Sequence, residues 1–455
     1  MKCIEDEIPF ELPEGWEWCR VRDIAAVKGG KRLPKGVGFS PCRTAHAYIR
    51  VTDMKNHCIN TDDLKYISEE VFLQIKNYTI SKDDLYVTIA GTIGVTGEVP
   101  TELDGMNLTE NAVKITNIQI NKTYLCLIIQ SEFVQQQFQD KTHQVAMPKL
   151  ALERILSTLI PVCTITTQSA MVSKFVEMDS LINQIREEKE ILAETVSLTK
   201  SKILDLAIRG KLVPQNPDDE PASVLLERIR AEKEELIKAG KIKRDKKESI
   251  IFKGEDNSYY EKVGVEIRCI DSEIPFEIPD GWMYERLGNI CSIARGGSPR
   301  PIENYLTDDE NGLNWIKIGD TEQGGKYIYS TKEKIRPEGL SKTRYVCSGD
   351  FLLTNSMSFG RPYILRTNGC IHDGWLVIGG IEIAFHQDYL YYMLSSSIMY
   401  NALSSLAVGS TVKNLKSDSV KSLLVPIPPL AEQACISRQI ENYFATMLPI
   451  ERSLS

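Results

Sequence analysis

Two glycine-rich turns carry side chains of the kind that contact nucleic acid. Glycine lets the backbone approach a phosphate closely, and lysine and arginine supply the positive charge. The sequences are KGGKRLPK and RGGSPRP, and their candidate contacts are Lys28, Lys31, Arg32, Lys35, Arg295, Ser298 and Arg300. We predict a nucleic-acid contact at each turn, with an ordinary solvated turn as the alternative.

A second group of polar residues lies in or directly after two short apolar segments, DDLYVT and GDFLLT. Their composition and the flanking Gly and Asp residues predict strands. Hydroxyl, amide and guanidinium groups at the end of a strand can hydrogen-bond to bases or phosphates. The candidates of this kind are Thr88, Thr92, Asn355, Ser356, Ser358 and Arg361.

Motifs for catalysis are absent from the sequence. The only Pro-Pro pair lies in IPPL, where no amide or carboxylate precedes it to hold an adenine amino group, and neither GxxxxGK[ST] nor HExxH occurs. Cys42, His46, His57 and Cys58 have the right chemistry for zinc but an irregular spacing. We therefore expect no catalysis, metal or cofactor in this chain.

Composition sets the class of protein. The chain has 455 residues, of which 42% are hydrophobic and 25% charged, which predicts about three globular domains. It has no apolar stretch long enough to cross a membrane, and its 11 cysteines contain no CxxC pair, so a reducing cytoplasm is expected. The formal net charge of −8 indicates that any DNA contact is local or shared with partners.

An internal repeat organises the whole chain. The segment EIPFELPEGW returns 266 positions later as EIPFEIPDGW, and YIRVTD, DDLYVT and LIPV return as WIKIGD, GDFLLT and LVPI within one residue of the same offset. Such a long period excludes solenoids and propellers. It predicts the duplication of a complete α+β domain together with its trailing helix.

Heptads follow each copy of the repeated domain. Apolar a and d positions predict a helix of about 48 Å that pairs antiparallel with its copy and separates the two domains. The alternative is that each helix packs on its own domain. The seam residues are Phe175, Met178, Ile182, Ile185, Leu192, Val196, Ile203 and Leu206 in the first helix, and Ile440, Tyr443, Met447 and Ile450 in the second.

These patterns divide the chain into five segments. They are domain 1 (1–165), a spacer helix (166–212), a connector with a short helix from Pro221 to about Ala239 and a basic linker (213–268), domain 2 (269–430) and a distal helix (431–455). Pro449 is expected to interrupt the distal helix, because an interior proline loses a hydrogen bond. We therefore expect the distal helix to be short.

The chain resembles the specificity subunit of type I restriction-modification systems over essentially its whole length. The resemblance is carried by EIPFELPEGW and its copy, ILDLAIRGKLVPQNPDDEPA, and GSTVKNLKSDSVKSLLVPIPPLAEQ. The first copy departs from the pattern, since Cys163 and Thr164 stand where the second has Pro428 and Pro429.

The resemblance implies two target-recognition domains that bind the two halves of an asymmetric double-stranded DNA site. It also implies helices that bind two modification subunits, which carry S-adenosylmethionine and methylate adenine. A short distal helix would then weaken one of these two modification-subunit sites. Restriction subunits that use ATP and Mg would complete the nuclease. Two alternatives remain open, namely a coiled-coil scaffold whose domains bind protein or carbohydrate, and the recognition half of a single-chain methyltransferase-nuclease.

Overall fold

The computed structural model describes residues 7–140, 149–244, 248–322, 324–356, 359–407 and 414–454. The chain forms two compact units, Met1–Arg186 and Glu187–Ser455. One long helix, α6 (Ile165–Ile208), begins in the first unit and ends in the second.

The first unit contains twelve strands and five helices before α6, within the residues described. The strands are β1 (Glu17–Arg20), β2 (Ala26–Gly29), β3 (His46–Ile49), β4 (Met54–Lys55), β5 (Cys58–Ile59), β6 (Lys65–Ile67), β7 (Thr79–Ile80), β8 (Leu85–Thr88), β9 (Thr96–Glu98), β10 (Met106–Leu108), β11 (Ala112–Thr116) and β12 (Leu159–Val162). The helices are α1 (Val21–Ile24), α2 (Glu69–Ile75), α3 (Lys122–Gln130), α4 (Glu132–Asp140) and α5 (Leu152–Leu156).

Two four-stranded sheets, in the orders β6-β3-β10-β7 and β2-β11-β8-β9, form the centre of the first unit. Strand β8 shows why they pack, since successive side chains of a strand point to opposite faces. Leu85 and Val87 enter one core with Leu125 and Phe138 of the helices. Tyr86 enters a separate core on the other face.

The second unit contains the remaining described elements. Its strands are β13 (Ser249–Lys253), β14 (Tyr259–Val263), β15 (Glu266–Cys269), β16 (Met283–Arg286), β17 (Ser292–Arg295), β18 (Leu306–Thr307), β19 (Leu313–Ile316), β20 (Tyr327–Ile328), β21 (Glu333–Ile335), β22 (Arg344–Val346), β23 (Phe351–Thr354), β24 (Pro362–Leu365), β25 (Gly369–Ile371), β26 (Trp375–Gly379) and β27 (Leu424–Ile427). Its helices are α7 (Ala222–Lys238), α8 (Leu287–Ile290), α9 (Gln387–Ser395), α10 (Ser397–Leu406), α11 (Ser417–Lys421) and α12 (Leu430–Leu454).

The second unit repeats the strand order of the first. In its sheet β17-β26-β23-β24-β20, the first four strands correspond in order to β2, β11, β8 and β9 of the first unit. Strand β20 is added at the edge. The register agrees, because Thr88 lies opposite Ala112 in the first unit and Thr354 lies opposite Trp375 in the second. The predicted duplication of an α+β domain is confirmed.

Helices α6 and α12 pack antiparallel within the second unit. Gln215, just after the end of α6, bonds to Glu432 near the start of α12 at 2.7 Å. Earlier in α6, Lys200 pairs with Glu451 near the end of α12 at 2.6 Å. The later residue of the first segment contacts the start of α12, and the earlier residue contacts its end. The two helices are therefore antiparallel, as predicted.

The apolar seam is covered only in part by this pairing. Val196, Ile203 and Ile440 are buried, and Leu206 and Met447 are half-buried. The remaining seam positions have exposed side chains, and they are Phe175, Met178, Ile182, Ile185, Leu192, Tyr443 and Ile450. The covered part therefore lies at the C-terminal end of α6.

The expected break at Pro449 is wrong, since α12 continues through it to Leu454. Proline removes one backbone hydrogen bond, but Pro449 is exposed and lies in the last two turns of the helix. Solvent can therefore satisfy the freed carbonyl group of Ala445.

The connector contains more regular structure than the sequence indicated. Helix α7 begins and ends one residue inside its predicted limits. The segment that we assigned to a linker continues into the three-stranded sheet β13-β14-β15, which the sequence analysis missed. Ile251 and Glu261 are buried there. Only residues 245–247 of the basic run lie outside the described residues.

Candidate functional site

The glycine-rich turn of the first unit follows β2 and is held against the loop between β10 and β11. The amide of Gly30 donates to the carbonyl of Ala112 at 3.1 Å, and the amide of Lys31 donates to that of Leu108 at 2.9 Å. A methyl group on Gly30 would overlap the carbonyl oxygen of Thr109. Glycine is needed here because two backbone segments are in direct contact.

The turn of the second unit is built in the same way. The amide of Gly296 donates to Trp375 at 3.0 Å, and that of Gly297 donates to Ile371 at 3.2 Å. A methyl group on Gly296 would overlap the carbonyl oxygen of His372. The two turns are therefore equivalent in backbone structure as well as in sequence.

A carboxylate faces the turn of the first unit. Glu110 lies between β10 and β11, where its Oε1 accepts a 2.6 Å bond from Nε of Arg32 and its Oε2 accepts one from the Thr109 hydroxyl at 3.0 Å. Burial alone would raise the pKa of Glu110, but the bonds from Arg32 and Thr109 bring this pKa below its usual value. The side chain is thus an ionised acceptor beside a basic turn.

The second unit has a carboxylate at the equivalent position. Asp373, between β25 and β26, accepts bonds from the Ser298 hydroxyl at 2.8 Å and from Nη2 of Arg300 at 3.3 Å. Burial would raise the pKa of Asp373, but the Ser298 bond and nearby positive charges lower it. In the backbone register, Ser298 is equivalent to Arg32 of the first unit. The arginine that binds the carboxylate in the second unit, Arg300, lies two residues after this position.

The described candidate polar residues after the two apolar strands lie in, or directly before, equivalent hairpin loops. In the first unit, the Thr88 amide donates to Val95 at 2.9 Å, and the Gly94 amide donates to Thr88 at 2.8 Å. In the second, the Thr354 amide donates to the carbonyl of Arg361 at 3.0 Å, and the Gly360 amide donates to the carbonyl of Thr354 at 2.7 Å. The hairpin geometry is conserved between the units although the side chains differ.

Each hairpin loop lies beside the carboxylate-bearing loop. The amide of Ile89 donates to the carbonyl of Asn111 at 2.8 Å, and the amide of Asn355 donates to that of Gly374 at 2.9 Å. Three loops therefore meet at one end of each unit. We call them the turn loop (30–35 and 296–301), the acid loop (109–111 and 372–374) and the hairpin loop (89–95 in the first unit, and the described residues 355–356 and 359–361 in the second).

The loop cluster and the adjoining strand ends bring the predicted contact residues together, with different exposures. Ser298 and Ser356 are partly exposed, and Ser358 lies outside the described residues. The exposed candidates are Lys28, Lys31, Arg32, Lys35, Thr92, Arg295, Arg300 and Arg361.

Thr88 and Asn355 do not fit the prediction that they contact DNA, because both are fully buried. The Thr88 hydroxyl bonds to the carbonyl of Thr92 and accepts from the amide of Val95. The Asn355 amide group donates to the carbonyl of Asp373 at 2.8 Å. Both side chains hold the loops in place from inside the unit.

Glu110 and Asp373 were not among the contact residues predicted from the sequence. An acidic residue beside a basic turn is an unlikely choice for a DNA-binding surface, and composition alone gives no reason to select it. A signal was nevertheless present, since each acid follows a short apolar segment and precedes the strand that pairs with the turn. Alignment of the two copies through these strands would have matched the two acids.

The possible zinc ligands do not form a cluster. His46 stacks on Phe72 with ring centroids 3.8 Å apart and pairs with Glu69. His57 bonds through Nδ1 to the carbonyl of Thr96 at 3.0 Å. Across the described ranges, no group of three or more His, Cys, Asp or Glu side chains could hold a metal ion.

The helices of the described residues include none that is long and apolar enough to span a membrane.

Comparison with known sequences identifies similar proteins. Residues 13–194 and 279–454 match the family described as type I restriction modification DNA specificity domain. The EcoEI specificity subunit of Escherichia coli is 24% identical over 98% of this chain and 80% of its own length. The EcoAI specificity subunit of the same species is 28% identical over 64% of this chain and 54% of its own length.

Solved structures share the fold. A chain from a structural study of complex assembly and conformational transition of the type I R-M system aligns over 98% of this chain and 94% of its own length, with a TM-score of 0.59 and 16% identity. The HsdS subunit from Thermoanaerobacter tengcongensis aligns over 99% and 94%, with a TM-score of 0.53 and 17% identity.

Proposed function

Because this chain belongs to the type I restriction-modification DNA specificity family, we propose that each of its two units reads one half of a bipartite DNA site. The observation that carries this proposal is the loop cluster, which occurs once in each unit with the same backbone hydrogen bonds. Basic side chains and hydroxyl groups meet there, and such groups position and read a duplex.

The two half-sites should differ in sequence. Lys31 and Arg32 of the first turn loop stand where the second has Gly297 and Ser298, although the backbone is the same. Base contacts depend on the side chains, so equivalent backbones with different side chains select different bases. The expected target is therefore asymmetric.

We assign the chemistry to partner subunits. The sequence lacks the adenine-binding, ATP-binding and metalloprotease motifs named above. In this proposal, two modification subunits bring S-adenosylmethionine and methylate adenine, and restriction subunits bring ATP and Mg. This chain supplies the choice of sequence. The scaffold and single-chain enzyme alternatives are not favoured, because the family match covers both units.

The exposed seam of α6 is the surface that we assign to a modification subunit. It spans residues 175–192, about 27 Å of helix at the standard rise. An apolar a/d stripe of this length is suited to pairing with helices of another subunit. The stripe consists of Phe175, Met178, Ile182, Ile185 and Leu192.

The test is to co-express this chain with a modification subunit of a type I system that assembles with it and to map adenine methylation by sequencing. We expect a bipartite, asymmetric motif that disappears when this chain is omitted. A motif that does not depend on this chain would refute the proposed function.

The partner surface is tested separately by Ile182→Asp, which places a charge on the exposed seam. Glu187→Ala, at an exposed position on the opposite side of the heptad, is the matched control. We expect Ile182→Asp alone to reduce co-purification of the modification subunit. Equal co-purification of both variants would exclude this surface.

A further inference from the structure

We propose that Arg32 and Arg300 read guanine in the major groove, each oriented by the carboxylate of its acid loop, and that they do not serve as phosphate contacts. This inference rests on the proposed function, since it concerns how the same loop clusters bind DNA. It assigns a role to Glu110 and Asp373, which the sequence analysis left without one.

The geometry leaves both arginines able to donate further hydrogen bonds. The bond from Arg32 to Glu110 uses Nε, and the side chain is 78% exposed. The bond from Arg300 to Asp373 uses Nη2, and that side chain is 79% exposed. A guanidinium has five N–H donors, so each group can still form the two bonds that O6 and N7 of guanine accept.

Charge distinguishes between a base and a phosphate as the ligand. An arginine paired with a carboxylate has little net attraction for a phosphate, because the phosphate must approach the carboxylate as well. The O6 and N7 acceptors of guanine are neutral and cause no such repulsion. The carboxylate can in addition accept a bond from N4 of the paired cytosine. Both charges of the pair are therefore useful at a G·C base pair.

The carboxylates also limit the number of conformations that the arginines adopt. Glu110 is fixed by the Thr109 hydroxyl at 3.0 Å, and Asp373 is fixed by the Ser298 hydroxyl at 2.8 Å. An oriented guanidinium loses less side-chain entropy when it binds a base edge. Occurrence of the arrangement in both units, with the arginine supplied from different positions, supports a role in reading.

Other cations in or beside the loop clusters are better placed for phosphate. Lys28, Lys35 and Arg361 are exposed, and none of them has an acidic partner within the described residues. An unpaired cation attracts the DNA backbone whatever the sequence. In each loop cluster, the arginine paired with a carboxylate therefore reads a base, and the unpaired cations attract the phosphate backbone.

The experiment uses the full chain assembled with its modification subunits. Wild type, Arg32→Ala, Glu110→Gln and Arg300→Ala are compared for affinity against the wild-type site and against sites with each G·C pair changed to A·T. Each affinity is measured at several salt concentrations. Arg22→Ala is the matched control, since Arg22 forms an exposed pair with Glu153 at 2.9 Å outside the loop cluster.

We expect Arg32→Ala and Glu110→Gln to lose discrimination at one G·C pair of one half-site, and Arg300→Ala to do so in the other half-site. The loss should be about 5- to 150-fold, as for a bidentate contact worth 1–3 kcal/mol. The slope of log affinity against log salt concentration should stay unchanged for Arg32→Ala and Arg300→Ala, and it should not decrease for Glu110→Gln, which leaves Arg32 an unpaired cation. The unaffected half-site reports that each variant is folded.

Two results would overturn the inference. One is a uniform loss of affinity across all sequences with a salt slope reduced by about 1, which is the signature of a phosphate contact. The other is a wild-type half-site that contains no G·C pair. Failure of the proposed function is distinguishable, because then the wild-type complex itself would select no bipartite site.

Discussion

The guanidinium of Arg286 binds both carboxylate oxygens of Glu261, with its Nε 2.9 Å from Oε1 and its Nη2 3.0 Å from Oε2. Glu261 lies on β14, and Arg286 ends β16. Arg268 of β15 adds a further ion pair to the same carboxylate. This bidentate pair fastens the three-stranded sheet, which has no counterpart among the described strands of the first unit, to a strand of the repeated domain.

The pair predicts an acid-sensitive component of stability. Burial would raise the pKa of Glu261, but hydrogen bonds from Arg286, Ser249 and Arg268 lower it from 4.5 to about 2. A carboxylate with a lowered pKa in the folded state stabilises the protein above its ordinary pKa, and this contribution is lost as the pH falls through the lowered value. The relevant range is therefore from 4.5 down to about 2.

Glu261→Gln should reduce the free energy of unfolding by about 3 kcal/mol near neutral pH, the value that corresponds to lowering the pKa from 4.5 to about 2, while Arg286 keeps its ion pair with Glu273 at 2.6 Å. The deficit relative to wild type should shrink as the pH falls from 4.5 to about 2. Urea denaturation followed by tryptophan fluorescence, repeated at several pH values, measures the unfolding free energy and its dependence on pH. Glu266→Gln, at an exposed position on the adjacent strand, should have little effect; a pH-independent deficit for Glu261→Gln would contradict the assignment.

Neighbouring glycines of the first turn loop should respond differently to alanine. Gly30→Ala should reduce affinity for one half-site about tenfold or more, since the methyl group displaces the loop from the Thr109 carbonyl. Gly29→Ala should keep wild-type affinity, because nothing lies within 4 Å of its added carbon. DNA-binding assays with half-site variants test this, and equal behaviour of the two proteins would disprove the role of the close contact.

Arg361→Ala should weaken binding to all DNA sequences and reduce the salt slope by about 1. The reason is that this exposed cation of the hairpin loop has no carboxylate partner among the described residues. Titrations at several salt concentrations give the slope. Arg228→Ala, which removes an exposed arginine of α7, serves as the control and should not change it. Relaxed selection at one base pair would argue against a backbone contact.

Two isoleucines at equivalent heptad positions should differ in their effect on folding. Ile440 is completely buried between α12 and the core of the second unit, so Ile440→Ala should cost about 2–5 kcal/mol of unfolding free energy. Ile182 is 45% exposed, and Ile182→Ala should change stability by no more than about 0.5 kcal/mol. Chemical denaturation of the isolated chain measures the unfolding free energy of each variant. Similar losses would show that the exposed seam is buried in solution.

The repeat and its strands were predictable from sequence, because their signals are local. Leu85, Tyr86 and Val87 contact two different cores as a strand between packed layers requires, and the flanking Asp and Gly mark its turns. The a/d pattern of α6 similarly identified a long helix, although it could not say which part of the seam the chain itself covers.

The acid loops and the added sheet were not predictable because their partners are distant in sequence. Arg32 and Glu110 are 78 positions apart, and Arg300 and Asp373 are 73 apart. Glu261 has the pattern of a surface charge in sequence and becomes buried only because Arg286 binds it. Thr88 and Asn355 illustrate the reverse error, since a polar residue at the end of a strand can face inward as a support.

The loop clusters owe their shape to amide and carbonyl groups, which every residue type except proline supplies in full. A new contact side chain can therefore appear on an existing loop without the loop being rebuilt, provided that Gly30 and Gly296 remain. Under the proposed function, the target preference of each unit can therefore change in evolution by single substitutions while the architecture is inherited unchanged.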